Sequence, residues 1–377
     1  MSHYFDHNAT SPLRTEVAMA MHEVDLGSAA NPSSMHAQGR LARTLIDEAR
    51  SRVASAVECR PSEVVFTSGA TESNNLAIEG VWEKHPERTL VTSAIEHPSV
   101  LGTIDALERR GAHTLRLPVS YSGRVDLERV AALASSGPCL FSLGWANAET
   151  GHLADIEGLG SALEGAEEGP MLHLDAAQAL GRVTTTMAPG VNMLSLSAHK
   201  FGGPRGVGAL IVRGEPLAPI MRGGPQERGL RPGTENLAAI VGMGLAIESA
   251  VGEMASESRR LSSLVEDLWR RLEKGIEGIV RLSPRGGLPN TLTVALPDSQ
   301  AEVVVAGLDL LGFAVSTGSA CAAASPEPSH VVSALDIDER LRRGVLRISM
   351  GAANSSTDVR ALGETLVSVA GRASKAA

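Results

Sequence analysis

Several short polar clusters in this chain each follow an apolar run, and their residue types belong together chemically. In SLSAHKFGGPRGVGALIV, His199 and Lys200 close such a run and precede a glycine-rich turn. A lysine desolvated among such groups has a lowered pKa and can form a Schiff base with an aldehyde. Taken alone, the plainer reading is a surface lysine. Asp175, in HLDAAQALG, is the residue type that pairs with a protonated pyridine nitrogen and so lets a pyridoxal ring store electrons. Its plainer reading is a helix N-cap. Gln178, three residues on, is placed to hydrogen-bond a phenolic oxygen on such a ring. In SGATESNN, Gly69, Ala70 and Thr71 stand where a strand turns into a helix, and free N–H groups at that point bind phosphate. The spacing from Thr71 to Asn74 is also close to that of a capping box. His97, in AIEHPSV, can stack on a flat ring, although a lone histidine is more often structural.

The three cysteines divide differently. Cys59, Cys139 and Cys321 are odd in number and show no paired spacing, which fits a reducing compartment better than a disulfide framework; no zinc-type spacing is present either. Cys139 lies in the apolar run PCLFSLGW and reads as a buried strand residue. Cys59 precedes a proline turn and reads as structural. Cys321 sits in STGSACAAASPEPSH, a stretch of small residues without hydrophobic period, for which a loop is the natural reading.

These residues need a scaffold, and the hydrophobic pattern supplies one. Leu41, Leu45, Ala49, Val53 and Val57 recur every four residues, which predicts an amphipathic helix over about 40–57. Beyond it, β-branched runs alternate with helical patterns: EVVFTS, TESNNLAIEGVWEK, TLVTSA, PSVLGTIDALERR, HTLRLPV, DLERVAALAS and CLFSLGW. Such alternation predicts βαβ units and a mostly parallel sheet covered by helices, with MLHLDA, MLSLSA and VGALIVR as further strands. In open α/β sheets ligands bind at the carboxyl ends of strands. Ser68 to Thr71, His97, Asn147, Asp175 and Ser197 to Lys200 all fall there, which predicts one convergent pocket. After about residue 235 the pattern changes to a long helix, the strand NTLTVAL, the helix AEVVVAGLDLLG, a loop and the strand LRIS, a second and smaller α+β lobe. RGGPQERGLRPGTEN, too glycine-rich for core, is the candidate crossing between lobes or subunits.

Composition limits the alternatives. At 377 residues the chain exceeds the usual single core, and with 43% hydrophobic but 3% aromatic residues that core must be aliphatic. A net charge of -9 and no basic cluster argue against a nucleic-acid partner. The amino-terminal residues lack the apolar stretch of a secretory signal and no 18 apolar residues run together, so a soluble cytoplasmic protein without membrane partners is expected.

In order along the chain, DHNAT, NPSSMH, FTSGATESNN, EHPSV, WANAETG, HLDAAQALG, SLSAHKFGGPRGVGA, GGPQERGLRPGTEN, GSAC, EPSH and LRIS span residues 6–349. This ordered set resembles the signature of the cysteine desulfurases of the NifS and IscS type, class-V enzymes that use pyridoxal 5'-phosphate. The resemblance implies the α/β fold of the type I pyridoxal-phosphate transferases. A large domain over 15–250 would hold a mostly parallel seven-stranded sheet, and a smaller α+β domain of 1–14 and 251–377 would carry the cysteine loop. It also implies roles. Lys200 would hold the cofactor and act as general base, with Asp175 on the pyridine nitrogen, Gln178 on the phenolic oxygen, His97 on the ring face and Asn147 in support. Ala70, Thr71, Ser197 and His199 would surround the phosphate, joined by Thr234 from the second subunit of a homodimer. Arg347, with Asn31, would hold the carboxylate of L-cysteine. Cys321 would take the substrate's sulfur as a persulfide, release alanine and pass sulfur to an acceptor protein, for iron–sulfur clusters or tRNA thiolation. Two positions depart from the pattern: Ala148 stands where an Asn is frequent and Gly203 where a His often occurs. The alternatives are a selenocysteine lyase, a transaminase or another enzyme of the same fold, or a non-catalytic scaffold; Cys321 argues against the transaminase.

Overall fold

The computed structural model describes residues 3–27, 30–166, 169–215, 217–318 and 328–373. In chain order the strands are β1 (His3–Tyr4), β2 (Val64–Thr67), β3 (Thr89–Ser93), β4 (Thr114–Leu117), β5 (Cys139–Gly144), β6 (Met171–Asp175), β7 (Met193–Ser197), β8 (Gly208–Val212), β9 (Val280–Arg281), β10 (Thr291–Ala295), β11 (Phe313–Ala314) and β12 (Val345–Ser349). The helices are α1 (Thr15–Gly27), α2 (Ala37–Ala56), α3 (Ala70–Trp82), α4 (Pro98–Glu108), α5 (Leu127–Ser136), α6 (Ile156–Leu163), α7 (Leu237–Gly275), α8 (Ala301–Leu310), α9 (His330–Ala334), α10 (Glu339–Arg342) and α11 (Ser356–Ala373).

Seven strands form one sheet in the order β2-β8-β7-β6-β5-β3-β4. Only β8 runs against its neighbours, pairing antiparallel with both β7 and β2. Apart from the edge strand β4, which is partly exposed, these strands are buried on both faces and read as apolar runs rather than clean alternation. Their side chains nonetheless divide by parity. Val64 and Phe66 of β2 enter a core shared with α2 and α7, whereas Val65 enters the core on the other face, with α3 and α4. Cys139 is buried in β5 as expected. The helix expected at about 40–57 forms as α2, but its buried face runs through Ala42, Ile46, Ala49 and Val53, with Leu41 exposed and Leu45 half-buried, because a spacing of four drifts off one face of a helix with 3.6 residues per turn.

A separate cluster gathers Phe5, α8, α11 and the three-stranded sheet β12-β10-β9. The long helix α7 serves both packing units. Ala239, Ile240, Met243 and Ile247 lie in the first core, and Leu261, Leu264, Leu268 and Leu272 in the second. By length and composition α7 could cross a bilayer, but its apolar residues are used inside the protein.

The glycine-rich segment 222–236 is not wholly surface. Glu227 is buried, with the positive φ of 44°, and its carboxylate receives Arg50 Nη1 at 2.8 Å, Arg50 Nη2 at 2.6 Å and the Phe66 N–H at 2.8 Å. Glycine lets the segment turn, while the buried ion pair with Arg50 fastens it to α2 and the Phe66 N–H bond fastens it to β2.

Candidate active site

The carboxyl ends of β2, β3, β5, β6 and β7 open onto one cavity of about 690 Å³. Strand β2 leads through Gly69 into α3, whose first turn has no side-chain cap. Gly69 has φ +152°, which glycine alone takes readily, and a Cβ on Gly208 would stand 2.6 Å from the Gly69 Cα. Two glycines thus let strand β8 pass close behind the turn, leaving the N–H groups of the helix start free toward the cavity. Ala70 and Thr71 line this end, together with Ser197 and His199. An uncapped helix terminus bordered by hydroxyls is suited to a phosphate.

At the end of β6, Asp175 lies 9% exposed. Its Oδ1 accepts the Ala177 N–H and its Oδ2 accepts from Asn74 Nδ2 at 2.7 Å. The same Asn74 amide donates to Ser99 Oγ, which lies 2.7 Å from His97 Nδ1. His97 caps α4 by accepting the Ser99 N–H, so the turn that starts this helix also fixes its ring. Burial lowers the His97 pKa, which keeps the imidazole neutral and apt for stacking. Two buried polar residues therefore join the ring-facing histidine to the carboxylate.

Lys200 follows β7 in a short 3₁₀ turn, and its Nζ donates to the carbonyls of Asn8 at 2.7 Å and Ala9 at 3.0 Å. Burial first, then the guanidinium charges of Arg182 and Arg347, push its pKa down to about 8. Such an amine is half neutral near pH 8, where an ordinary lysine stays almost wholly protonated, and the neutral form is the nucleophile toward an aldehyde. The pKa of His199 falls to about 4 through burial and the nearby Lys200 charge. The carboxylate for a pyridinium, the amine for a carbonyl and the anion cradle sit on one cavity, so the donor set fits pyridoxal phosphate.

Arg347 is 2% exposed on β12, with Nη2 2.7 Å from Asp6 Oδ1 and Nη1 3.3 Å from the Ala148 carbonyl. Its Nε has no partner among the described residues. A buried guanidinium with an unused donor beside a cavity is suited to a carboxylate. Asn147 lines the cavity too, but its side chain is used by its own turn: Nδ2 donates to the Ile95 carbonyl, and Oδ1 accepts the N–H groups of Glu149 and Thr150. Gln178 also reaches the cavity.

Two expected residues do not reach this cavity within one chain. Asn31 is exposed and accepts the Ser33 N–H at 2.8 Å, and Thr234 is exposed just ahead of α7. Cys321 lies outside the described residues. The chain on either side of it meets the site: Ser329 Oγ donates to Glu149 Oε2 at 2.6 Å, His330 Nε2 lies 2.8 Å from the Glu96 carbonyl, and a Cβ on Gly318 would stand 2.9 Å from that same Glu149 Oε2. Sequence reasoning missed Asp6, Asn8, Asn74, Glu96, Glu149 and Arg182. Their signal is present in DHNAT, ESNN, EHP, AET and ALGR, but each depends on partners far away in the chain. Gly203, a departure from the family pattern, has a local reason: a Cβ there would stand 2.9 Å from the Ala198 carbonyl oxygen.

The class-V aminotransferase family is matched over residues 3–362. The chain belongs to that family. Within it, the chain is 40% identical over 365 residues to a cysteine desulfurase IscS of Dictyoglomus turgidum, covering 94% of this chain and 91% of the relative. Among solved structures, a NifS-like protein matches with a TM-score of 0.92 at 33% identity, covering 99% of this chain and all of the other. Another, SspA in complex with cysteine, matches with a TM-score of 0.81 at 34% identity, covering 93% and 99%. The chain is thus placed among the cysteine desulfurases of this family, and its seven-stranded sheet is theirs.

Proposed function

We propose that this protein is a pyridoxal-phosphate-dependent cysteine desulfurase that converts L-cysteine to alanine and leaves a persulfide on Cys321. The carrying observation is that Lys200 and Asp175 share one cavity with the uncapped start of α3. When bound, the cofactor supplies an electron sink conjugated to the substrate's α-carbon. The chain's own residues do the rest. The helix start with Thr71, Ser197 and His199 would bind the phosphate, Asp175 would hold the pyridine nitrogen protonated, and His97 would support the ring. Arg347 exchanges part of its contact with Asp6 for the substrate carboxylate, and its idle Nε becomes a donor.

Lys200 would take the α-proton of cysteine as general base. The Cys321 thiolate attacks the substrate sulfur and the Cβ–Sγ bond breaks. Its electron pair stays with the three-carbon fragment, which takes up protons and leaves as alanine. The sulfane sulfur stays on Cys321, and no outside oxidant is required. The closeness of Ser329 and Gly318 to Glu149 supports this role for the segment between them.

The enzyme works as a homodimer in the cytoplasm, each phosphate site completed by Thr234 of the partner subunit, and the sulfur passes to an acceptor protein for iron–sulfur cluster assembly. Thr234 supports this pairing by being exposed and off its own cavity. The large lobe is 15–250 and the small lobe 1–14 with 251–377, in keeping with the two packing units that meet along α7. Borohydride reduction followed by peptide mapping tests the cofactor site: the adduct is expected on Lys200 and absent in Lys200→Ala. Intact mass after brief exposure to cysteine tests the sulfur site. Wild type should gain sulfur on Cys321, and Cys321→Ser none. An adduct on another lysine, or sulfur on Cys59 or Cys139, refutes the reading.

A further inference from the structure

Arg182 is 8% exposed, and among the described residues its guanidinium meets no carboxylate. Its contacts are all neutral acceptors: the Gln178 side-chain oxygen, the Gln178 carbonyl at 3.2 Å, the His7 carbonyl at 3.2 Å and the Lys200 carbonyl at 3.5 Å. Burial and the Arg347 charge bring its pKa down to about 9, so it remains charged at neutral pH. A buried cation without a counter-charge is costly, and an apolar residue in its place would avoid that cost. Here the cation touches both a cavity residue and the backbone of the lysine.

We propose that Arg182 is a positioning residue of the site, fixing which way the Gln178 amide faces and setting the charge environment of the Lys200 amine. The first part follows from donor and acceptor chemistry. A guanidinium only donates, so the Gln178 atom facing it must be Oε1. Gln178 Nε2 then donates one N–H to the Asn8 carbonyl at 2.9 Å and keeps the other for the cavity. Turning the amide over would set Arg182 donor against amide donor and Asn8 acceptor against amide acceptor. Gln178 therefore presents a donor, as an anionic phenolic oxygen requires.

The second part follows from proximity. The charged and titratable groups that act on Lys200 are Arg182 and Arg347, which disfavour its cationic form, and Asp6 and Asp175, which favour it. His97 and His199 lie beside it and have lowered pKa values. Asp6 is engaged by Arg347 and Asp175 by Asn74. Arg182 is thus the cation in this group that no carboxylate offsets.

The inference rests on Lys200 being the cofactor lysine, but its test reads the apoprotein and can fail separately from that assignment. Lys200 acetylation by a small anhydride, followed by mass spectrometry as pH is varied, gives the midpoint of the amine. Wild type should titrate near 8. Arg182→Met should raise the midpoint by about 1 unit, and Arg182→Lys, which keeps the charge, should leave it in place. Should Arg182→Met not fold, the double variant Arg182→Met with Gln178→Met removes donor and acceptor together and should show the same rise, with Gln178→Met alone unchanged. An unmoved midpoint in a folded charge-free variant, or an equal rise in Arg182→Lys, overturns the electrostatic part. For orientation, Arg182→Met leaves no donor facing Gln178 Oε1, so its pyridoxal-phosphate affinity should fall about tenfold, and Arg182→Lys, which still donates, should lose less. Unchanged affinity overturns the positioning part.

Discussion

Glu227→Ala should destabilise the protein without removing a residue that lines the cavity. The Glu227 side chain is 1% exposed and that of Arg50 is 10% exposed, and their two hydrogen bonds of 2.6 and 2.8 Å make a bidentate pair. Removing the carboxylate leaves the guanidinium with the Val64 carbonyl, the face of Phe66 and the more distant, exposed Asp47 carboxylate at 3.9 Å, and also strips the Phe66 N–H of its acceptor. Breaking such a pair on one side costs about 3–5 kcal/mol. With an unfolding entropy of about 2.1 cal/mol/K per residue, the chain's 377 residues give roughly 0.8 kcal/mol/K, so Tm should fall by about 4–6 °C. Replacing both residues by methionine removes the stranded charge and leaves chiefly the Phe66 N–H unpaired, a cost of about 1–3 kcal/mol. Differential scanning calorimetry of wild type, both single variants and the double variant completes the cycle. If Glu227→Ala lowered Tm by less than about 1 °C, or no more than the double variant did, the pair would not be the fastening it is argued to be.

Two further outcomes are expected. Mixed Thr234→Ala and Lys200→Ala subunits should recover activity, since one site of each heterodimer carries both lesions and the other neither; random exchange would restore about a quarter of the sites. No recovery despite verified exchange would argue against a shared site. The second concerns Glu96, whose buried carboxyl is pushed up to about 8 by desolvation and by the nearby Asp175 charge, against the lowering effect of its bond from Ser93 Oγ at 2.6 Å. A raised folded pKa means that the native state holds the proton more tightly. The stability it contributes is therefore fully present below the ordinary carboxyl range near 4.5 and is lost as pH rises through about 8. Glu96→Gln should flatten that part of the stability profile in chemical denaturation, and an identical slope in wild type and variant would exclude a protonated Glu96.

Most of the sheet could be read from the chain because buried parallel strands are apolar runs between turn residues, and β2 through β8 each had such a run. Helix α6 escaped because Gly158 and Gly160 weaken its intrinsic propensity; Asp155 caps it by accepting the Gly158 N–H, and Leu159 and Leu163 fix it against the core. The cavity residues at strand ends were legible for the same reason as the strands, since topology fixes where polar ends converge. Arg182 and Glu227 were not. A charged residue reads as surface unless its partner is known, and those partners lie 175 positions away at His7 for Arg182 and 177 away at Arg50 for Glu227. Asn74 was hidden likewise, its carboxylate partner Asp175 being 101 residues on.

Helix α7 has 39 residues and so is roughly 58 Å of continuous rod. Its first turns are walled into one core and its last turns into the other, with the more polar stretch GEMASESRR between them. Melting either end exposes apolar surface that the other end cannot cover, so the two halves of the molecule lose their structure together or not at all. A chain cut within that stretch would leave two fragments, each lacking one wall of its interior, and neither should stand alone in water.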